Sequence, residues 1–319
     1  MLSLGSVGDP SHNGGHALDT AETRQRIAAQ LVGRERELEL LLSTVAAGRN
    51  IVLEGPPGTS KTTMLRAITA EWGIALMLVE GNAELTPSKL LGHHNPARVL
   101  QEDYSPNNFV PGPLVEAMQQ GGFLYIEELN RAPEDTLNTL LMAIADRQIT
   151  IPRVGMIRAE PTFRIVASMN PYDNVGTSRL STSVLDRLCR LAVDYQDEAA
   201  ERGIAWLRSG VDSEHALSEQ VVNNAVAATR ATRAHRDVRQ GSSVRGAIDT
   251  VLVGIELAKI RGIEAPDDPR YPEALLDALI LALSGRIQLD EVAETTPERV
   301  LHEIWTELMQ RESEAAAPG

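Results

Sequence analysis

Residues 51–62 read IVLEGPPGTSKT, a short apolar run followed at once by a loop rich in glycine and proline. A helical pattern comes next, with Met64, Leu65, Ile68 and Trp72 spaced to share one face. This order of strand, loop and helix is the context in which the pattern G-x-x-x-x-G-K-[ST] binds phosphate through backbone N–H groups and a helix N-terminus. The stretch therefore predicts a nucleotide-binding α/β fold.

The loop and the first turn of its helix supply most of the predicted nucleotide contacts. We expect Lys61 to reach the β- and γ-phosphates of ATP, and the Thr62 hydroxyl to bind Mg²⁺. Ser60 stands where the pattern has its second glycine, which puts nucleotide affinity in question. The predicted nucleotide-binding residues of this segment are Gly55, Pro56, Pro57, Gly58, Thr59, Ser60, Lys61, Thr62 and Thr63. The competing interpretation is a plain strand-to-helix turn with a solvated lysine.

A second apolar run, residues 123–126, is followed by two carboxylates, Glu127 and Glu128. In a parallel sheet the carboxyl ends of the strands face the ligand. Successive side chains of a strand point in opposite directions, so the two carboxylates can have different roles. We expect Glu127 to hold Mg²⁺ and Glu128 to polarise the attacking water. Glu127 is one methylene longer than the Asp usual at the metal side. A solvated strand end is the alternative interpretation.

A third run, residues 163–169, ends at Asn170 and Pro171. A polar group at that strand end could orient the attacking water or sense the γ-phosphate, so Asn170 is a predicted catalytic residue. Taken alone, an asparagine before proline is usually a turn former.

Apolar runs alternate with helical patterns over residues 20–194. The runs are residues 51–54, 74–80, 123–126, 163–168 and 190–193. This alternation predicts βαβ units and a mainly parallel five-stranded sheet. Residues 195–312 show only helical periodicity, which predicts a smaller all-α lid domain. Residues 1–19 and 313–319 lack periodicity and are predicted to be a disordered arm and tail.

Composition narrows the function classes. The chain has 319 residues, 43% of them hydrophobic, with 30 basic and 44 acidic side chains and a formal net charge of −14. Such an acidic surface repels phosphate backbones and disfavours nucleic acid as a partner. The single cysteine, Cys189, excludes an internal disulfide. The sequence shows neither a signal peptide nor an apolar run long enough for a bilayer, so we expect a cytoplasmic protein without membrane insertion.

Two polar segments have no assigned role. His93 and His94 have no partners at metal-ligand spacing, so a metal site other than nucleotide-bound Mg²⁺ is not expected. Residues 230–239 contain four arginines. They indicate the solvated end of a lid helix, with a contact to a partner or to nucleotide as the alternative.

Together these segments resemble the MoxR family of AAA+ ATPases over roughly residues 30–290. Residues 31–34 (LVGR) resemble the AAA+ stretch that packs on adenine, which implies Val32 and Gly33 as nucleotide contacts. Residues 127–133 (EELNRAP) are similar to the family's Walker B segment. Residues 85–92 with 109–114 resemble its insert in helix 2, and residues 147–151 through 161–163 resemble the hairpin before sensor 1.

The resemblance also implies roles for two arginines. Residues 185–188 (LDRL) match the family's L-D-R-F segment, which makes Arg187 the arginine finger acting on ATP in a neighbouring subunit. Residues 241–245 (GSSVR) resemble the sensor-2 turn, which places Arg245 at the start of a lid helix, with Val244 where the family has proline. Arg131 and Arg179 are weaker candidates for a subunit boundary.

The function implied by the resemblance is Mg²⁺-dependent ATP hydrolysis by an oligomeric ring, expected to be a hexamer because a finger in trans requires a neighbour. The family resemblance further implies chaperone-like remodelling or activation of a client protein, often together with a von Willebrand factor A (VWA) protein. The alternative is a nucleotide-gated binding module or scaffold that hydrolyses little ATP, to which Ser60 and Glu127 point. A DNA-translocating or initiator ATPase is disfavoured by the net charge.

Overall fold

The computed structural model describes residues 21–102, 104–171 and 180–316. The chain divides into two compact units. The first comprises the described residues up to Gly55 together with Ser60–Val193, and the second comprises the short segment Pro56–Thr59 together with the described residues from Asp194 onward. The predicted disordered arm, residues 1–19, lies outside the described residues, as do residues 317–319 of the predicted tail.

The first unit contains eight α-helices and nine strands among its described residues. In chain order they are α1 (Ala21–Ala28), α2 (Glu35–Ala46), β1 (Ile51–Glu54), α3 (Lys61–Trp72), β2 (Leu76–Glu80), α4 (Pro87–Leu91), β3 (Gly92–His94), α5 (Pro96–Glu102), β4 (Phe109–Pro111), α6 (Pro113–Gln120), β5 (Phe123–Glu127), α7 (Glu134–Asp146), β6 (Gln148–Ile151), β7 (Gly155–Arg158), β8 (Arg164–Met169), α8 (Thr182–Leu185) and β9 (Cys189–Ala192).

Five of these strands form one parallel sheet in the order β2-β5-β8-β1-β9. Glu54 at the end of β1 pairs with Met169 of β8, and Glu80 of β2 pairs with Glu127 of β5, so the carboxyl ends of the strands meet at one edge. This arrangement confirms the predicted mainly parallel five-stranded sheet. The helices between successive strands return the chain to the opposite edge of the sheet. The loops that follow the strands therefore all lie at this one edge.

The limits of β1 are those expected from the sequence, and the limits of the other four strands of this sheet differ by one or two residues. The largest shift is at β2, which begins at Leu76 rather than at residue 74. Gly73 ends α3 in a left-handed conformation, with φ of 61°, and the Ile74 amide donates to Thr69 O at 2.9 Å. Ile74 therefore closes the end of the helix instead of extending the strand.

The sheet separates two apolar cores because alternate residues of a strand face opposite sides. Val52 and Leu124 belong to the core with α6 and α7, whereas Leu53 and Tyr125 belong to the core with α2 and α3. These strands are buried on both faces, as expected of a parallel sheet covered by helices. Two short antiparallel pairs lie outside this sheet, β3 with β4 and β6 with β7, within the segments that resemble the helix-2 insert and the hairpin before sensor 1.

The second unit is mainly helical. Its elements are α9 (Glu198–Ser209), α10 (Ser218–Ala234), β10 (Val238–Gln240), α11 (Val244–Arg261), α12 (Tyr271–Leu283), β11 (Gln288–Leu289) and α13 (Pro297–Ala316). One core joins α10, α11, α12 and α13, with Val222, Val251, Leu279 and Val300 fully buried in it. Among the described residues, no helix combines the length and the apolar character that crossing a bilayer requires.

The helical character expected of this region is confirmed, and two details differ from the sequence-based expectation. The lid was expected to be all-α, but β10 and β11 form an antiparallel pair. Strands of two or three residues are too short to show an alternating pattern. The tail was expected to begin at residue 313, but α13 continues through Ala316. Its end, residues 312–316, is ESEAA, and glutamate and alanine are good helix formers.

Candidate functional site

The loop between β1 and α3 contains two residues with left-handed backbone. Gly58 has φ of 76° and Ser60, the residue before α3, has φ of 66°. Glycine adopts this conformation freely, whereas a residue with a Cβ pays roughly 1–2 kcal/mol. The pattern has a glycine at position 60, and the backbone of this chain shows the reason. Ser60 therefore follows the path of the loop at a conformational cost.

Gly55 is held where no side chain fits. A Cβ added to Gly55 would lie 1.9 Å from Val193 O. The Gly55 amide donates a hydrogen bond to Met169 O at 3.1 Å. Its carbonyl accepts a hydrogen bond from Lys61 Nζ at 2.9 Å. The ammonium group of Lys61, the predicted phosphate-binding lysine, thus lies at Gly55, the first residue of the loop.

The predicted metal-binding pair is in direct contact. Thr62, in the first turn of α3, donates a hydrogen bond from its hydroxyl to Glu127 Oε1, at the end of β5. The two residues are 65 positions apart in the sequence. A strand end and a helix start therefore bring one hydroxyl and one carboxylate to a single point at the edge of the sheet.

Tyr125 is a site residue that the sequence analysis missed. Its hydroxyl lies 3.3 Å from Thr62 Oγ1 and also hydrogen-bonds the Ser168 side chain. Burial raises the pKa of the Tyr125 hydroxyl above its ordinary value, so the group stays protonated. The alternation that places Glu127 beside α3 places Tyr125, two residues earlier, on the same face. That period of two was the available signal.

Glu128 occupies an unusual backbone position next to this pair. Its φ is 52°, in the left-handed region, and its Oε2 lies 3.8 Å from Arg131 Nε. Left-handed backbone in a residue with a side chain is concentrated at functional sites. A Cβ on Gly81 would lie 2.2 Å from Glu128 O, so the neighbouring strand end packs closely on this turn.

The ends of β5 and β8 are linked through two buried asparagines. Asn130 donates from Nδ2 to the backbone oxygen of Asn170 at 3.4 Å, and both side chains are nearly inaccessible to solvent. Asn170 is the residue predicted to orient the attacking water or to sense the γ-phosphate. Asn130 was not assigned a role from the sequence, although it lies in the segment that resembles Walker B.

The remaining predicted residues of the first unit lie on its surface or in its loops. Val32 and Gly33 connect α1 to α2, and Gly33 has φ of 61°. Thr63 is an exposed residue of α3. Arg187 is exposed just after α8 and donates from Nη1 to Ser183 O at 2.8 Å. Arg179, a weaker candidate, lies outside the described residues.

The second unit contains Arg245 and the loop segment 56–59. Thr59 is buried and donates from Oγ1 to Pro56 O at 2.9 Å. Ser243 precedes α11 and packs on the loop, since a Cβ on Gly58 would lie 2.4 Å from its Oγ. Arg245 is exposed in the first turn of α11, with its Cγ 3.8 Å from that same point. The turn before α11 therefore lies against the glycine of the loop.

Comparison with known proteins agrees with this geometry. Residues 50–188, from β1 to just before β9, match the family described as AAA domain (dynein-related subfamily). Residues 50–188 form an AAA domain. The match includes Gly55, Lys61, Thr62 and Glu127, and ends just after Arg187.

Two relatives extend the similarity through the second unit. The gas vesicle ATPase GvpN of Ancylobacter aquaticus is 27% identical over 300 residues, which cover 87% of this chain and 80% of that protein. Protein MoxR of Methylorubrum extorquens is 27% identical over 262 residues, which cover 82% of this chain and 74% of that protein. The resemblance to MoxR inferred from the sequence is confirmed.

Solved structures show the same fold. A RuvB variant from Thermotoga maritima aligns with a TM-score of 0.52 over 79% of this chain and 71% of that chain, at 18% sequence identity. At this identity the likeness concerns the fold alone. It agrees with the parallel sheet and the helical C-terminal region of this chain, which has the AAA+ P-loop fold.

Proposed function

We propose that this AAA+ protein binds ATP on residues 55–63 and hydrolyses it with the help of Mg²⁺. The observation that carries the proposal is the contact between the Thr62 hydroxyl and the Glu127 carboxylate. The neighbouring Lys61 has its ammonium group hydrogen-bonded to Gly55 O, at the start of the loop. Two hard oxygen donors at one point suit Mg²⁺. When bound, the ion supplies positive charge that neutralises the β- and γ-phosphates.

Other side chains bind the nucleotide and assist its hydrolysis, each in a separate role. Lys61 exchanges its bond with Gly55 O for phosphate oxygens and holds the triphosphate in place. Glu128 accepts a hydrogen bond from the attacking water and orients it, while Asn170 senses the γ-phosphate from the end of β8. Arg131 lies 3.8 Å from the Glu128 carboxylate and helps to hold it. Val32 and Gly33 contact the adenine, and Arg245 contributes from the start of α11.

We further propose that the active form is a cytoplasmic ring, expected to be a hexamer, in which Arg187 completes the site of the neighbouring protomer. The exposure of Arg187 supports this part of the proposal, since an arginine supplied in trans must be accessible to a neighbour. The ring would remodel or activate a client protein, with a VWA-domain protein as one class of partner, as the resemblance of the sequence motifs to the MoxR family implies.

Steady-state ATP hydrolysis by the purified protein tests the enzymatic part. The wild type should hydrolyse ATP only with Mg²⁺ present, and Lys61→Ala should abolish the activity. Lys89→Ala is the matched control, because Lys89 is an exposed lysine of α4 that pairs with Glu84 at 3.7 Å. A wild-type rate equal to that of Lys61→Ala would refute hydrolysis.

Ser60 favours the second candidate function, a nucleotide-gated module with little turnover. Its left-handed backbone makes the loop costlier to hold than one with glycine, so binding could be retained while turnover is slow. Nucleotide binding without hydrolysis above the Lys61→Ala background would identify this alternative.

A further inference from the structure

Glu201 on α9 is a buried carboxylate, with 2% of its side chain exposed. Each of its oxygens meets an arginine of α10. Arg230 Nη1 lies 2.9 Å from Oε2, and Arg233 Nη2 lies 2.8 Å from Oε1. A buried charge persists only when it is paired and hydrogen-bonded. Two of the four arginines in residues 230–239 are therefore ion-pair partners of the buried Glu201, which differs from the fully solvated helix end expected from the sequence.

Arg233 also binds the turn that precedes α11. Its Nε donates to Ser242 O at 2.7 Å, and its guanidinium stacks 3.8 Å above the Tyr195 ring. The Tyr195 hydroxyl reaches Gly241 O at 3.5 Å. One planar side chain thus joins α9, the segment after β9 and the turn, and the rigid fork of a guanidinium can make these contacts at the same time.

The turn is fixed to α10 by backbone contacts as well. A Cβ on Gly241 would lie 2.6 Å from Arg233 N, so the two backbones touch. The Ser242 amide donates to Thr232 Oγ1 at 3.0 Å, and Ser242 is fully buried. The next residue, Ser243, packs on Gly58 of the phosphate loop. Contacts therefore run from Glu201 through Arg233 and the turn to residue 58.

We propose that Glu201 and Arg233 are positioning residues for nucleotide binding: they fix the turn 241–243, and through it Ser243 and Arg245 beside Gly58. This inference rests on the proposed function, because it assumes that the loop binds a nucleotide. Neither residue touches the nucleotide. Their effect is exerted through the backbone of the turn.

Arg230 offers a matched control. It lies three residues before Arg233 on α10, pairs with the same carboxylate, and donates to Gln196 O at 3.0 Å rather than to the turn. Arg230→Ala and Arg233→Ala each remove one partner of Glu201, so both should lower thermal stability. Only Arg233→Ala should weaken ATP binding, by roughly tenfold, as expected for a lost buried charge-assisted hydrogen bond.

The experiment measures ATP dissociation constants calorimetrically on the full chain, together with hydrogen exchange of residues 241–245 without nucleotide. Arg233→Ala should accelerate exchange of the turn, and Arg230→Ala should not. Arg233→Lys keeps the charge near Glu201 but loses the fork, so stability should largely return while ATP affinity stays low. Equal ATP affinities of wild type and Arg233→Ala, or equal losses in both alanine variants, would overturn the proposal.

A second pair of variants covers the case in which Arg233→Ala fails to fold. Gly241→Ala should push the turn off α10 and weaken ATP binding, whereas Gly285→Ala, where an added Cβ meets nothing within 4 Å, should not. If the wild type binds no ATP, the proposed function fails. The exchange measurement still decides whether Arg233 fixes the turn, and unchanged exchange in Arg233→Ala would refute that separately.

Discussion

The hydroxyl of Thr62 and the carboxylate of Glu127 are hydrogen-bonded across 65 residues of sequence, at the point where β5 ends and α3 begins. The parallel sheet creates this contact, because β5 and the loop after β1 reach the same edge. Shortening the carboxylate by one methylene in Glu127→Asp should lengthen the contact and change Mg²⁺ dependence more than ATP affinity. Titrating hydrolysis with Mg²⁺ checks this expectation. Identical titrations for both proteins would argue against a metal role for Glu127.

Ser60→Gly should stabilise the fold by about 1 kcal/mol, because glycine occupies the left-handed region without the Cβ penalty. It should also raise the rate of ATP hydrolysis if the strain limits turnover. Urea unfolding and steady-state kinetics measure the two effects. Ser60→Ala is the control, since it removes the hydroxyl and keeps the Cβ. Stabilisation by Ser60→Ala as large as that by Ser60→Gly would show that the backbone is not the cause.

Tyr125→Phe should lower the free energy of unfolding by about 1 kcal/mol, the usual contribution of a hydrogen bond. The ring would stay in the core, but the hydroxyl that bonds Thr62 and Ser168 would be lost. We expect a lower rate of hydrolysis with little change in ATP affinity. Unfolding curves combined with the kinetic constants separate the two. A fully active Tyr125→Phe would mean that the hydroxyl serves stability alone.

Glu54, one residue before the phosphate loop, should make stability depend on acid pH. Its hydrogen bond and ion pair with Arg190 of β9 lower the pKa of the carboxyl below its ordinary 4.5. Between the two values the unfolded chain binds more protons than the folded one, so stability is present above about pH 4.5 and is lost as pH falls further. Glu54→Gln should flatten this loss, as measured by unfolding at a series of pH values. An unchanged pH profile would exclude Glu54 as its source.

Arg187 should act on the neighbouring site. Arg187→Ala keeps the phosphate loop but lacks the arginine finger, and Lys61→Ala keeps the finger but lacks the phosphate-binding lysine. Each variant alone should therefore be nearly inactive. Mixing the two should restore ATP hydrolysis, because protomers that retain Lys61 would receive Arg187 from a neighbour. Analytical ultracentrifugation would establish whether the mixtures assemble. Inactive mixtures that nonetheless form rings would contradict a finger supplied in trans.

The sequence was sufficient to predict the fold. It was also sufficient to place those candidate residues that follow directly on a strand or begin a helix. The loop, its lysine and the two carboxylates lie where strand and helix periodicity predicts them. Tyr125 was missed because a tyrosine in a buried strand also suits the core. The partners of Arg233 were missed because Tyr195 and Glu201 precede it by about 30 to 40 residues, and no sequence pattern links them to Arg233. Only the folded helices bring them together with Ser242.

The strained positions show a second limit of the sequence. Ser60 was recognisable as a departure from a pattern, but its left-handed backbone is a property of the folded loop. Glu128 was assigned a chemical role without any sign that its own φ is positive. Strain of this kind depends on neighbours that hold the backbone in place, such as the close packing of Gly81 on the Glu128 carbonyl.

The central claim is that Lys61, Thr62 and Glu128 act on one triphosphate, and the Glu128→Gln variant tests it most directly. The measurement is ATP binding and ATP turnover on the same preparation, with Lys61→Ala beside it. Glu128→Gln should bind ATP at least as tightly as the wild type without hydrolysing it, whereas Lys61→Ala should not bind ATP. Wild-type turnover by Glu128→Gln, or undiminished binding by Lys61→Ala, would contradict it.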